Sequence, residues 1–287
     1  MEDHTYEKNG KVISFINMKG GVGKTTLCVG IGEYLANYLN KKVLFIDVDP
    51  QFNTTQSLMN NFDMEEEYMT NLRYTKTIRK LFETTSTISE VRKLVSPNDV
   101  VISFEQSPNI DLICGNIDLI FDDNRADGAK SRRIKKFIND NKLKKKYDFI
   151  FIDCPPTISF YTDAALNASD YYLVPNRIDR YSILGIKLLK QVIDRLSFDE
   201  GLDIKPLGIV YTMVGNLTLK LERIKEIFEE TDIVKEIELF NAYTTHVPDL
   251  MVGLQGNVSS KYKKSREDIK DVTEELLLRL EGGDHHD

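Results

Sequence analysis

A chain of 287 residues with 41% hydrophobic and 29% charged side chains, but only 8 Pro and 16 Gly, has the composition of a folded globular protein, not a disordered one. Its net charge of -7 excludes an overall positive field, so any contact with nucleic acid has to come from a local patch. The cysteines Cys28, Cys114 and Cys154 lie far apart with no CxxC, which disfavours a disulfide framework or zinc finger, and no signal-peptide stretch or apolar window of ~18 residues is present, so a cytoplasmic location is expected.

In chain order, residues 1–10 are polar and expected to be flexible. Residues 12–17 (VISFIN) read as a short buried strand, followed by a glycine-rich turn and a helix with Leu27, Ile31 and Leu35 at four-residue spacing. Residues 42–47 (KVLFID) and 147–153 (YDFIFID) read as strands covered on both faces, because their centres VLFI and FIFI are unbroken apolar runs, and each ends in an aspartate. Residues 110–114, 171–175 and 206–212 are further strands; residues 131–145, 182–196, 219–230 and 265–280 are helices. Strands alternating with helices give an α/β fold, a single doubly wound domain over residues 11–281 with a mostly parallel sheet flanked by helices. Residues 60–107, polar and mixed, are expected to form a helical insertion on it, with 78–82 helical; residues 282–287 are expected to be disordered.

Directly after the first strand stands Lys19-Gly20-Gly21-Val22-Gly23-Lys24-Thr25-Thr26. Glycines let successive backbone N–H groups point at phosphate oxygens, and the helix that follows adds the positive end of its dipole. Lys24 then neutralises phosphate charge and the Thr25 hydroxyl suits a magnesium ion. Asp47 and Asp49 close the second strand, where ligands of doubly wound sheets bind, and alternation is expected to put both carboxylates on one side. They suit holding magnesium through water and orienting an attacking water.

The loop departs from the general Walker A spacing, since Met18 stands where that motif has its first glycine. It resembles instead the deviant motif KGGxGK[ST] of the family that includes ParA partition ATPases, MinD-type ATPases, the nitrogenase iron protein and anion-pump ATPases. The resemblance, closest to ParA/Soj proteins, extends through Asp47-Val48-Asp49-Pro50-Gln51, Asp153-Cys154-Pro155-Pro156, Val174-Pro175-Asn176 and the strand ending Thr212-Met213. It implies an ATPase that uses ATP and Mg2+ and forms a homodimer in the ATP state, with Lys19 reaching the partner's nucleotide. It also implies that Asp49 orients the attacking water and that Thr25, Asp47 and Asp153 serve the metal, Asp153 through water. Pro175, Asn176, Thr212 and Met213 would lie beside adenine. The family implies DNA segregation, with non-specific double-stranded DNA and a ParB-like centromere-binding protein as partners. No NKxD guanine signature accompanies these segments, and with about ten residues before the first strand the N-terminal helix-turn-helix of longer ParA proteins is not expected.

Short ParA proteins commonly carry a DNA-contacting arginine after the last of these strands, where this chain reads Val214-Gly215-Asn216-Leu217-Thr218. Lys220, Arg223 and Lys225, or Lys261, Lys263, Lys264 and Arg266, are the candidate replacements, each equally readable as a solvated helix face. The densest basic stretch, Lys130 to Lys136 followed by Lys142 to Lys146, is expected on the outer face of the helix before the strand at 147–153. A MinD-type membrane role would need a basic amphipathic C-terminal helix, whereas residues 268–280 carry a mainly acidic polar face, so no membrane partner is expected. Protein-cargo positioning and an ATP-coupled metabolic enzyme are the remaining alternatives on the same fold.

Overall fold

The computed structural model describes residues 9–83, 94–122 and 130–283. Most of residues 1–10 and of the tail 282–287 lie outside these. Gly10 is described, and it is buried, its N–H donating to the Lys144 carbonyl at 2.8 Å.

Seven strands form one sheet in the order β3-β4-β2-β5-β1-β6-β7. They are β1 (Lys11–Phe15), β2 (Val43–Asp47), β3 (Val101–Phe104), β4 (Ser107–Ile113), β5 (Phe149–Asp153), β6 (Tyr171–Asn176) and β7 (Lys205–Tyr211). All neighbours pair in parallel except β3 with β4. The doubly wound, mostly parallel sheet expected from the alternation of elements is therefore the fold. Side chains alternate between two cores: Val12, Leu44, Ile46, Ile150 and Ile152 face one, Ile13, Phe15, Phe45, Phe149 and Phe151 the other. The second is closed by helices α1 (Lys24–Tyr38) and, far along the chain, Lys263–Gly283.

The insertion is not wholly helical. Short helical turns occupy Glu65–Thr75 and Arg79–Phe82, but its last part is the edge strand β3, which a four-residue run after a Pro97 helix start does not announce. Helix α2 (Asn53–Asn61) precedes these turns. The single helix expected at 131–145 is broken instead: α3 (Arg133–Asp140) ends before Lys142, whose φ of 50° starts a separate turn, Leu143–Lys146. Nor is its basic run all on an outer face. Arg133 is buried and its Nη1 donates to the carbonyls of Leu81 (3.1 Å) and Glu83 (2.6 Å), clipping the insertion to the domain.

Three longer helices stand between α3 and the last helix among the described residues, with shorter ones such as Asp232–Ile237 and Pro248–Met251 beside them. Helix α4 (Phe160–Ala168), which the sequence reading passed over, starts where the Ser159 Oγ accepts the Thr162 N–H. α5 (Ser182–Glu200) and α6 (Leu219–Glu229) lie where expected. In the last helix, α7 (Lys263–Gly283), Ile269, Val272, Leu276 and Leu280 are buried, so its apolar stripe belongs to the core, Leu278 alone of its leucines being exposed. No helix of the described residues is long and apolar enough to cross a membrane.

Candidate nucleotide-binding site

The loop from Lys19 to Gly23 leaves the C-terminal end of β1 and opens α1, with Gly21 (φ 69°) and Gly23 (φ 80°) in the left-handed region that only glycine enters without strain. No side chain caps α1, so its first N–H groups are left to the loop and to whatever occupies it. A cavity of about 360 Å³ opens there, lined by residues 20–26, Asp49, Gln51, Asn53, Ser57, Pro156, Met213, Leu250, Met251 and Asn257. The loop residues Gly20, Gly21, Val22, Gly23, Lys24, Thr25 and Thr26 thus share one cavity with Asp49.

Lys24 is almost buried, with its Nζ 3.3 Å from the Lys19 carbonyl. Burial pushes its pKa down, while the nearby charges of Asp153 and Asp49 act to hold the ammonium. Asp49 is raised by burial, against the Gln51 N–H (2.9 Å) and Lys24, which favour its charged form.

Asp47 and Asp153 are register partners on β2 and β5, both buried. The expectation that Asp47 and Asp49 present their carboxylates together is not met. Asp47 turns inward: its Oδ1 accepts the Asp49 N–H (3.2 Å) and its Oδ2 accepts both the N–H and hydroxyl of Thr55 (2.8 Å each). It does not line the cavity, and burial, reinforced by the charge of Asp153, raises its pKa well above the carboxylate range. Its contacts with Thr55 anchor α2, so any service of Asp47 to a metal would be indirect, through water.

Asp153 differs. Its Oδ2 accepts the hydroxyls of Thr25 (2.7 Å) and Thr54 (2.8 Å), while its Oδ1 is buried without a partner. Burial raises its pKa, and the two threonines act against that rise. A buried carboxylate oxygen left unsatisfied beside a threonine hydroxyl at the phosphate loop fits a hard divalent cation or its water shell. Thr25, which lines the cavity, would hold Mg2+, with Asp153 behind it, outside the lining, serving the metal through water; Asp49 lines the same cavity as Thr25.

Lys19 is absent from the cavity lining. Its Nζ makes an ion pair with Asp179, at the turn before α5, and its N–H donates to the Asn17 Oδ1 (3.1 Å). Burial works against the charge of Asp179, but hydrogen bonds from Lys19, the Tyr181 backbone and Ser182 outweigh it and hold its pKa below the ordinary value.

On the adenine side the residues divide. Met213 lines the cavity, with its Cε packed so closely on Gly23 that a Cβ there would sit 3.1 Å away. Thr212 braces the loop, its hydroxyl donating to the Val22 carbonyl at 2.7 Å. Pro175 and Asn176 do not reach the cavity: the Asn17 Nδ2 donates to the Pro175 carbonyl (2.9 Å) and the Asn176 Oδ1 (3.3 Å), leaving the Asn176 Nδ2 buried without an acceptor. Leu250, Met251 and Asn257, which close the cavity, were missed because only Pro248 at a four-residue helix start marks this loop.

Of the seven basic candidates, Lys220, Arg223, Lys261, Lys263, Lys264 and Arg266 are exposed, though Lys264 pairs with Asp268 (2.7 Å). Lys225 is half-buried over the Tyr211 ring and paired with Glu229 (3.4 Å). The two groups are linked through residues 244–246: the Val214 N–H donates to the Thr244 carbonyl (2.8 Å), and the Thr245 N–H to Asp268 on α7 (2.8 Å).

A family model described as an AAA domain matches residues 10–204. The sporulation initiation inhibitor protein Soj of Bacillus subtilis is 30% identical over 228 residues, covering 77% of this chain and 81% of that protein. The chromosome-partitioning ATPase Soj of Treponema pallidum is 30% identical over 219 residues, covering 76% and 78%. Among solved structures, a putative plasmid partition protein from Borrelia burgdorferi bound to AMPPNP aligns with a TM-score of 0.72 at 23% identity, over 94% of this chain and 99% of that one. Cobyrinic acid a,c-diamide synthase from Mycobacterium smegmatis, with an ATP analog and magnesium, also reaches 0.72 at 20% identity, over 96% and 97%, so the fold itself serves more than one chemistry. It is the sequence likeness to Soj, sustained along most of both chains, that decides the matter: this chain belongs to the ParA/Soj family of P-loop ATPases.

Proposed function

We propose that this chain is a DNA-partition ATPase that works as a switch: ATP joins two copies into a homodimer, the dimer binds double-stranded DNA without sequence preference, and hydrolysis releases it. The observation that carries this reading is the placement of Lys19. A second lysine in a phosphate loop that does not line its own cavity and pairs instead with Asp179 supports a role at a nucleotide on a facing copy. Exposed apolar side chains on neighbouring segments, Ile158, Tyr181 and Leu184, supply surface for such a contact.

Within each site, Lys24 and the loop N–H groups hold the phosphates, and Mg2+, which Thr25 would hold with Asp153 acting through water, would supply charge neutralisation there. Asp49 orients the attacking water, and Met213, Leu250 and Met251 enclose the base. The exposed lysines and arginines on α6 and around the start of α7 contact DNA phosphates, two sets per dimer, which offsets the acidic charge of the monomer. A ParB-like centromere-binding protein accelerates hydrolysis, and the protein works in the cytoplasm on the nucleoid.

Light scattering of the purified protein with ATP, ADP and no nucleotide tests the carrying observation. A dimer with ATP alone, lost in Lys19→Ala while ATP binding persists, is the expected result. A Lys19→Ala protein that dimerises normally overturns the role of this lysine.

A further inference from the structure

The reaction proposed above leaves unused a pair of consecutive threonines behind the phosphate cavity. Thr54 and Thr55, both fully buried, begin α2 directly after the segment that bears Asp49. Each donates its hydroxyl to one of the two register-paired carboxylates at the strand ends: Thr54 to Asp153 (2.8 Å), Thr55 to Asp47 (2.8 Å). Thr55 also receives the Gly115 N–H at 2.8 Å, which completes its own hydrogen bonding. Thr54 is different in kind, because its acceptor is the same Asp153 Oδ2 that takes the hydroxyl of Thr25 in the phosphate loop.

We propose that Thr54 is a positioning residue, which fixes the Asp153 carboxylate for the metal and ties the metal side of the site to the chain segment carrying Asp49. The inference rests on the ATPase reading above.

Two hydroxyls on one oxygen, one from the phosphate loop and one from α2, restrain the carboxylate with Oδ1 buried and unpartnered. Removing the Thr54 arm lets it rotate, and a carboxylate that turns Oδ1 away no longer serves a cation or its water beside Thr25. The same bond restrains the chain between Asp49 and α2. That chain passes through Phe52 at φ 44° and ψ 39°, a left-handed conformation that a bulky residue adopts only where the surroundings enforce it. The Phe52 N–H donates to the Asp49 carbonyl at 2.8 Å, so a relaxation at Phe52 is felt at Asp49 directly.

The test is Thr54→Val, which keeps shape and removes the hydroxyl, beside Thr54→Ser, which keeps the hydroxyl. A fluorescent AMPPNP derivative is titrated first without metal and then against Mg2+, and steady-state hydrolysis of ATP is followed separately. Thr54→Val is expected to bind the analogue without metal as the wild type does. It should need on the order of ten-fold more Mg2+ for half-saturation and lose kcat by a similar factor with little change in KM. Thr54→Ser restores both. A merely structural role would lower thermal stability without moving the Mg2+ requirement or separating kcat from KM. An unchanged Mg2+ requirement in a folded Thr54→Val protein overturns the proposal. Should the valine variant not fold, Thr54→Ala carries the same comparison. A wild type that binds the analogue with Mg2+ but does not hydrolyse ATP overturns the ATPase reading, and the metal titration still decides the role of Thr54.

Discussion

Glu33 lies on α1 with 2% of its surface exposed, and its carboxylate accepts hydrogen bonds from the Asn61 Nδ2 (3.0 Å) and the Ser260 Oγ (3.0 Å). Burial pushes its pKa from 4.5 to about 7, while Ser260 and then the charge of Lys261 act in the opposite direction. Such a rise means that the folded state favours the protonated form. The stabilisation from holding that proton is complete below the unfolded pKa of 4.5 and is lost as pH climbs through about 7. Each pKa unit is worth about 1.4 kcal/mol, so the full span amounts to roughly 3 kcal/mol, of which about 2 kcal/mol falls between pH 5.5 and 8.5. Glu33→Gln keeps an acceptor for Asn61 and a polar partner for Ser260 but cannot ionise. Urea unfolding of both proteins at pH 5.5 and 8.5, without nucleotide, should show the variant gaining about 2 kcal/mol on the wild type as pH rises. Titrations elsewhere cancel in the difference. A constant difference across this range would show that Glu33 is ionised in the folded protein, and the buried junction of α1, α2 and the segment before α7 would have to be re-read.

Other expectations concern the site and its support. Lys24→Ala should weaken ATP binding by roughly a hundredfold, the loss of charge-assisted hydrogen bonds to phosphate, as read by equilibrium titration. Asp49→Ala should still bind ATP and dimerise but hydrolyse it on the order of a hundredfold more slowly in single-turnover assays; normal turnover would remove the water-orienting assignment. Gly32→Ala would place a Cβ 2.1 Å from the Phe45 Cζ, inside the α1–β2 contact, and should cost about 1–3 kcal/mol in urea unfolding.

The sheet was legible because its central strands carry their own evidence. Their centres, VLFI at 43–46 and FIFI at 149–152, are buried on both faces and apolar at every position, and the phosphate loop after β1 has a backbone requirement that only a few residues meet. β3 was not legible: at four residues on a sheet edge, it needs neither a long apolar run nor two covered faces. Asp47 and Asp49 look equivalent by alternation, yet the chain turns after β2 and Thr55 captures the first carboxylate, a tertiary contact that no spacing reveals. The basic run from Lys130 to Lys146 reads as a solvated face until the carbonyls of Leu81 and Glu83, about fifty residues earlier, are found to need a donor and Arg133 turns inward to provide it. The loop closing the cavity at Leu250, Met251 and Asn257 is brought there by the packing of α7 on α1, across more than two hundred residues of chain.

The most direct test of the account is binding of a labelled DNA duplex to the purified protein with ATP, ADP or no nucleotide, across a salt series, for the wild type and for Lys220→Glu/Arg223→Glu and Lys263→Glu/Arg266→Glu. Binding with ATP alone is expected, with log affinity falling against log salt by about 0.9 for each phosphate neutralised, and a shallower slope in both charge-reversed proteins. Binding that ignores nucleotide or salt, or that the charge reversals leave untouched, would contradict a DNA switch built on these surfaces.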